Sequence, residues 1–485
     1  MERFIRTFLS MVMLGVFYVT VYPFSVFAYE VEKITLKKDM SIVYEALPGH
    51  AETISEAFSK GIFYGRIRTN ILYYDWDTED RSTGGSKMDH KTMGIGGSLI
   101  FKSASFKGLS TTLGLYTSQN PAFFREDKAD VGYLKSGKGT ICRNRIKNGG
   151  AFDGDFGMTT PGQAFLRYDI AESSFILGRQ LYESVFSASN DTKMIPNSFD
   201  GITADIKPFY KTKLRFAYFT AQKLRDHINS HDVIAYNSWN ENDDSVVNRS
   251  LTKDLVGTDN KLVIIDANTK IVENLDTTVS FLSVPDIITN TALETKYKFG
   301  AGEWEVIPGI RIMIQKDYLH TDAPVSNLKA NTNGYNDPDN LDGKLYAARV
   351  DFRNGPLFFR LGYTKVADDA DIIAPWRGFP TGGYTRAMAQ YNWNANTACY
   401  MLRVDYDFDK AGLIQGLYVL TRYVIQDFDD MKTGVQPDSN VFNVDIYKKL
   451  GENLEMKLRF GNADGDKSAY DINGNLKTDI SNKGC

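Results

Sequence analysis

Cysteine is almost missing from this sequence: Cys142, Cys399 and Cys485 are the only three in 485 residues. A sparse, odd count excludes a disulfide framework and leaves room for one bridge at most, between Cys142 and Cys399. Histidine is as scarce, with five residues (His50, His90, His227, His231, His320) that form no HExxH or other metal-spaced set. His227 and His231 stand four apart in the polar stretch RDHINSHDV, which reads more simply as a solvated loop than as a metal site. No GxSxG, Walker loop or GxGxxG in a strand–helix setting is present, so no enzyme class and no cofactor is indicated. NDPDNLDG (336–343) and DINGN (471–475) do not complete a Ca²⁺ loop, and turn formation by Asn, Asp and Gly explains them. Net charge is −4, which gives no case for a nucleic-acid partner.

Long apolar runs are also lacking, except at the start. Arg3 and Arg6 precede an apolar run over residues 8–22, and Val26-Phe27-Ala28 offers a small-residue cleavage site. This reads as a secretory signal peptide over 1–28, short for a bilayer span. After it no run of about 18 apolar residues follows, so no helical span is visible. An exported chain of this kind is periplasmic, secreted, or a β-barrel, which crosses a membrane without apolar runs because each backbone group pairs with a neighbouring strand.

What is present is alternation. Residues 29–60 form an N-terminal segment in which Ile54, Ala57 and Phe58 keep helical spacing before Gly61. A short amphipathic helix at the periplasmic mouth is expected there, with a leader lacking fixed structure left open. From Ile62 the period is two. In IFYGRIRTNILYYDW (62–76), Ile67, Thr69, Ile71 and Tyr73 share one face while Arg66, Arg68 and Asn70 share the other. Such segments recur at about 62–76, 91–103, 107–118, 162–171, 173–181, 200–207, 212–224, 261–270, 274–284, 287–299, 302–316, 343–353, 355–366, 396–408, 416–427, 439–448 and 453–461. Many have ten residues or more, enough for a tilted membrane strand, and their links alternate short and long. The fold class is therefore all-β, a transmembrane antiparallel barrel over 61–485. Aromatics near strand ends (Tyr73, Tyr74, Trp76; Phe358, Phe359, Tyr363; Tyr400, Tyr406, Phe408; Phe428) suit an interfacial girdle.

Parity then assigns the charges. With apolar neighbours facing lipid, Arg66, Arg68, Arg167, Arg215, Arg311, Arg349, Arg353, Arg360, Arg403, Arg422 and Arg459 point into the lumen. An Arg facing lipid near the midplane would cost roughly 2–4 kcal/mol. Asp169, Asp351, Asp405, Asp407 and Asp445 fall on the same face. Arg179 breaks the rule: counted from Phe175 and Leu177 it lies on the lipid side, unless a bulge at Gly178 reverses the parity.

The stretch GRQLYESVFSASNDTKMIPNSFDGI (178–202) resembles a signature of OprD-like outer-membrane porins, especially those of Campylobacter-type bacteria. The AETISEAFSKGIFYGRIR run and the strand rhythm extend the resemblance from about Ala46 onward. It implies an eighteen-stranded barrel in the outer membrane, with a narrow, loop-constricted lumen and a basic ladder guiding small carboxylate-bearing nutrients. The ladder would be the arginines above, and the constriction would involve Ser187, Ser189, Asn190, Asp191 and Lys193. Members of that family end in an alternating strand with a terminal aromatic, whereas this chain ends in NADGDKSAYDINGNLKTDISNKGC. Seventeen strands are therefore expected here, with the last one missing. The expected partners are small hydrophilic solutes, ions and outer-membrane lipid, and the barrel is compatible with assembly into a homo-oligomer. A plugged surface barrel, acting as adhesin or structural protein through its long loops, is one alternative, and a soluble exported all-β binding protein is another.

Overall fold

In the computed structural model, the described residues are 18–21, 35–36, 42–43, 48–75, 90–124, 157–190, 194–225, 227–234, 251, 253–326, 332–387, 391–429, 431–432, 435 and 437–465. Among them, seventeen long strands follow one another in a single antiparallel meander. They are β1 (Ile62–Tyr74), β2 (His90–Lys102), β3 (Leu109–Gln119), β4 (Gly157–Ile170), β5 (Ser173–Gln180), β6 (Ser198–Phe209), β7 (Thr212–Lys223), β8 (Leu262–Thr269) and β9 (Leu275–Val284). Then come β10 (Ile288–Tyr297), β11 (Trp304–Asp317), β12 (Gly343–Asn354), β13 (Leu357–Val366), β14 (Ala398–Asp407), β15 (Leu417–Asp427), β16 (Ser439–Lys449) and β17 (Leu454–Gly465). Each of the seventeen alternating segments coincides with one of these strands. The first and last strands, β1 and β17, both pair with the four-residue strand Tyr18–Val21, which lies within the expected signal peptide. No helix of the described residues is long and apolar enough to cross a membrane.

Two boundaries differ from expectation by more than two residues. β17 runs on to Gly465, past the segment read as 453–461, so Asn462–Gly465 belong to the ladder. β4 starts at Gly157, ahead of the segment read from the sequence, and runs through Pro161. Proline cannot donate to the ladder. The strand absorbs it with a register shift opposite Gly114 and Leu115.

The links alternate between two rims. Short turns join β2 to β3, β4 to β5, and so on to β16 and β17. The long links, including residues 181–197, 224–261, 318–342, 367–397 and 428–438, leave from the other rim, which also carries the short link 285–287.

The two faces of the sheet are inverted relative to a water-soluble protein. Phe63, Ile67, Leu99, Leu166, Leu177, Ile202, Phe281, Ile310, Leu361 and Leu402 are exposed on one face. The alternating positions carry buried polar groups, among them Arg68, Asn70, Gln180, Asp266, Gln315, Asp351, Asn443 and Asp445. The apolar core sits on this polar-bearing face too, at its long-link end. There Phe199, Phe219, Leu262, Leu282 and Leu345 of the strands pack against Tyr182, Trp376, Tyr384 and Trp393 of the links. That face is called inner below.

The expected girdle is partly corrected. Tyr363 and Tyr400 do stand on the outer face with ring centroids 5.1 Å apart. Phe358 instead shares the inner parity of Arg360 and lies beneath the guanidinium groups of Arg360 and Arg403, 5.4 and 5.0 Å from its centroid. Phe428 is buried with Tyr335, Ala395 and Val435 among the links. Trp76 lies outside the described residues.

Arg179 resolves as an outer-face residue. Pairing of β5 with both neighbours is continuous through Gly178, so no bulge reverses its parity. Its charge is matched by Asp200, directly opposite on β6, through two bonds of 2.7 and 2.9 Å, with Pro161 O and Ser230 Oγ as further acceptors. Gly178 has a different importance. Its φ is +126°, and a Cβ there would come within 2.3 Å of Ala164 O. Gly178→Ala should therefore destabilise the sheet by roughly 1–3 kcal/mol, the cost of a strained backbone position. A lowered urea midpoint in detergent micelles checks this; an unchanged midpoint contradicts the backbone placement.

Candidate functional site

Three arginines form a row across the inner face. Arg360 of β13 faces Arg403 of β14, and Arg403 faces Arg422 of β15, each as a direct cross-strand partner. Like charges directly opposite one another repel. Carboxylates on the same face compensate. Asp351 accepts from Arg360 Nε and Nη2, both at 2.6 Å. Asp405 accepts from Arg403 at 2.7 and 2.5 Å and also from the Tyr418 hydroxyl. Asp445 accepts from Arg459 at 2.6 Å twice. Forked pairs of this kind are the strong geometry for guanidinium and carboxylate. Among the described residues, Arg422 has no carboxylate within 4.0 Å.

Backbone carbonyls of residues 367–397 hold a second set of arginines. Arg311 Nη1 donates to Pro380 O and Gly382 O at 2.8 and 3.2 Å. Arg349 and Arg360 each donate from Nη1 to Gly383 O, at 2.6 and 2.8 Å. The buried Tyr384 ring sits between Arg311 and Arg349, 4.9 and 5.1 Å from its centroid. This link therefore lies folded onto the inner face of β11, β12 and β13.

Residues 181–190 fold onto the inner face of β6, β7 and β8. Tyr182 Oη donates to Asp266 at 3.3 Å, and the Arg215 guanidinium stacks over the Tyr182 ring at 4.4 Å while donating to Glu183 O. The two inward links then meet. Ala188 N donates to Trp376 O and Gly378 N to Phe186 O, both at 3.1 Å, with a bridge between Ser187 and Arg377. Trp376 Nε1 reaches Val233 O of a third link at 2.8 Å.

Nearer the long-link rim, the buried Asp371 carboxylate accepts from Tyr335 Oη, Asn394 Nδ2 and Ala395 N at 2.8, 2.9 and 2.7 Å. Lys432 bonds both Asp368 and Asp429, and Asn396 Nδ2 donates to Asp429 at 2.9 Å. Three links are thereby tied together.

The expected arginines all stand at inner parity, but in different settings. Arg66 and Arg68 are buried on β1, and Arg167 pairs with Asp169 at 2.8 Å. Arg353 is largely exposed at the short-turn rim beside Glu305, 3.3 Å away. Asp407, at the end of β14, accepts from Lys410 N. In the segment expected to constrict, Ser187 is buried and its hydroxyl donates to Tyr182 O, while Ser189 donates to Glu183. Asn190 adopts a positive φ of 38°. Asp191 and Lys193 lie outside the described residues. His227 and His231 correct the solvated-loop reading: both are buried, with ring centroids 4.8 Å apart. No cluster of three or more metal-ligating side chains occurs among the described residues. Cys399 is a buried free thiol, and Cys142 lies outside the described residues.

None of the site residues expected from the sequence falls in the 367–397 link. The signal it carries is WRGFPTGGYTRA (376–387), which places two arginines, three aromatics and three glycines in an otherwise polar link.

No protein-family model matches the chain, and no curated protein sequence is similar to it. Solved structures are similar in fold. The crystal structure of Pseudomonas aeruginosa OccK8 (OprE) has a TM-score of 0.61 at 12% identity, covering 84% of this chain and 99% of that one. OccK2 (OpdF) from the same organism, in complex with glucuronate, gives 0.60 at 14%, covering 84% and 94%. Acinetobacter baumannii OccAB1 gives 0.62 at 12%, covering 84% and 91%. These proteins are outer-membrane porins, and none is from a Campylobacter-type bacterium. At such identities the likeness establishes the fold.

Two outcomes test this arrangement. A Cβ on Gly378 would lie 2.0–2.4 Å from the backbone of Phe186 and Ser187, so Gly378→Ala should part the two inward links. Faster limited proteolysis within 367–397, with the strands intact by circular dichroism, is the expected result. The second concerns pH. Burial pushes the Asp429 carboxyl up, but hydrogen bonds from Lys432 and Asn396 outweigh it and hold it below the usual carboxylate range. A depressed carboxylate stabilises above its unfolded pKa and loses that contribution as pH falls through its folded pKa. The tie should thus hold at neutral pH and loosen progressively below about pH 4. Hydrogen exchange of residues 428–432 against pH reads this out.

Proposed function

We propose that the chain is an outer-membrane channel, a closed barrel with eighteen strand positions, through which small hydrophilic solutes diffuse passively. The bias is toward carboxylate-bearing nutrients such as amino acids and small organic acids. The observation that carries this reading is the pairing of an exposed apolar face with an inner face bearing the Arg360–Arg403–Arg422 row. A barrel wall between lipid and water needs that inversion. Closure is supported by β1 and β17 sharing a strand partner, and by inward links from distant strands meeting on one face. The row, with Arg66, Arg68, Arg311, Arg349 and Arg459 around it, is the basic ladder. Asp351, Asp405 and Asp445 keep it folded while leaving net positive character at Arg422. Serial, hydrated guanidinium sites attract an anion and still release it. The glucuronate complex of OccK2, a structure of like fold, accords with a carboxylate solute. Residues 181–190 and 367–387 form the constriction, and the narrower affinity to Campylobacter-type porins is retained within this proposal.

A second reading has its own observation. Trp376, Trp393, Tyr384 and Phe186 are fully packed at the long-link end of the inner face. A barrel plugged there would act through its long loops as an adhesin or structural protein.

Single-channel recording of the inserted protein in a salt gradient separates the two. Discrete open steps are expected, and silent insertion favours the plugged barrel. Arg422→Gln removes one lumen charge without stranding a carboxylate. Two unit charges about 4 Å apart in water interact by ~1 kcal/mol, so the anion-to-cation permeability ratio should fall by up to roughly fivefold. An unchanged reversal potential in that variant contradicts the assigned ladder.

A further inference from the structure

A six-residue helix at the short-turn rim leaves its two largest apolar side chains uncovered. Helix α1 (Ile54–Ser59) is far too short to be stable alone. It is held by Ala104 N donating to Ala57 O at 2.8 Å, and by Ser105 N donating to Gly49 O at 3.1 Å. The strand His50–Ala51 pairs beside it with Ser105–Phe106 in the β2–β3 turn. The polar side of α1 is satisfied internally. Thr53 Oγ1 accepts from Glu56 N at 3.1 Å, Glu56 accepts from Glu52 N at 3.0 Å, and Lys60 pairs with Glu56 at 2.8 Å. Ala57 faces the rim and is buried against Ala51 and Ala104. Ile54 and Phe58 stand one turn apart on a common face, 66% and 54% exposed.

Their direction is fixed by an aromatic contact. Phe58 stacks on Phe101 of β2, with centroids 6.0 Å apart and planes within 7°. Phe101 lies on the outer face, opposite Phe63 of β1 and 4.8 Å from its ring. Phe63, Ile67 and Leu99 continue the exposed apolar surface up the wall. The apolar side of α1 is thus continuous with the outer face of the sheet, and does not cover the mouth of the inner face.

We infer that α1 is an interfacial foot, which inserts Ile54 and Phe58 into the headgroup–acyl boundary of the phospholipid leaflet at the short-turn rim. This rests on the membrane-channel reading above. Amphipathic helices that lie in the interface bury their apolar face about 5–10 Å into that boundary. The continuity with the outer wall selects lipid over a protein partner, because the same surface must already meet hydrocarbon one strand-turn higher. The foot sets how deep the wall around β1, β2 and the β2–β3 turn sits in the bilayer.

The test places an environment-sensitive fluorophore on single cysteines in a Cys142→Ser, Cys485→Ser background, with the buried Cys399 left in place. Labels go at Ile54→Cys, Phe58→Cys, Ser59→Cys on the polar side, and Leu361→Cys on the outer wall. The folded protein is inserted into phosphatidylethanolamine–phosphatidylglycerol vesicles containing lipids with a doxyl quencher either near the headgroup or near the chain terminus. Labels at residues 54 and 58 should be quenched by the headgroup-proximal doxyl well above the residue-59 label. The residue-361 label should respond to doxyl in the bilayer interior. If residues 54 and 58 are quenched no more than residue 59 while residue 361 is quenched, the foot is overturned and the channel reading stands. If residue 361 is not quenched by either lipid, the membrane reading fails and the foot fails with it. Ile54→Cys keeps the Phe58–Phe101 stack intact, so a negative result there is not a consequence of losing that contact.

Discussion

Guanidinium groups that face one another across neighbouring strands repel, and this sheet keeps several of them together by giving most a carboxylate in forked geometry. Asp351 holds Arg360, Asp405 holds Arg403 and Asp445 holds Arg459, each from the same face. Removing any one acid would leave a cation in a crowded, partly desolvated row, and breaking a buried pair is far costlier than never having made it. Among the described residues most arginines of this row are matched in this way, while Arg422 has no carboxylate within 4.0 Å. Phe358 gives the guanidiniums a surface to stack on, and the Tyr418 hydroxyl fixes the orientation of Asp405.

The long links extend the same logic from side chains to backbone. Arg311, Arg349 and Arg360 spend their remaining donors on Pro380, Gly382 and Gly383 carbonyls. Buried arginines so satisfied act as posts that hold a loop, and the loop in turn shields them. The outer face shows the converse. Arg179 stays there only because Asp200 lies directly opposite and the rim supplies two more acceptors.

Strand positions and their two faces were legible because a period of two is a local property: once Phe63, Ile67 and Leu99 are seen to alternate with polar neighbours, the side of each residue is determined. Even Arg179, which looked anomalous, obeyed the count. Phe358 was misplaced because its aromatic character suggested an interface, while its parity, the same as that of Arg360, already said otherwise. The inward links could not be read in this way. Ser187 and Arg377 have no shared period, no common spacing and no pattern that announces their bridge. Their contact is a product of where the strands carry the link ends. The burial of His227 and His231 is not legible in the sequence either, since it depends on how their link folds back on the end of β7.

The meeting of residues 186–188 with residues 376–378 has a temporal consequence. Neighbouring strands in a meander find one another across short turns, whereas this junction closes a loop of nearly two hundred residues. Its entropic cost grows with the logarithm of that length and is recovered only when both walls already stand. The interior must then settle after the wall. A chain caught between the two steps would have its full complement of strand pairs and an uncovered inner face. Assembly itself would therefore pass through a state whose inner face is more open than in the finished molecule.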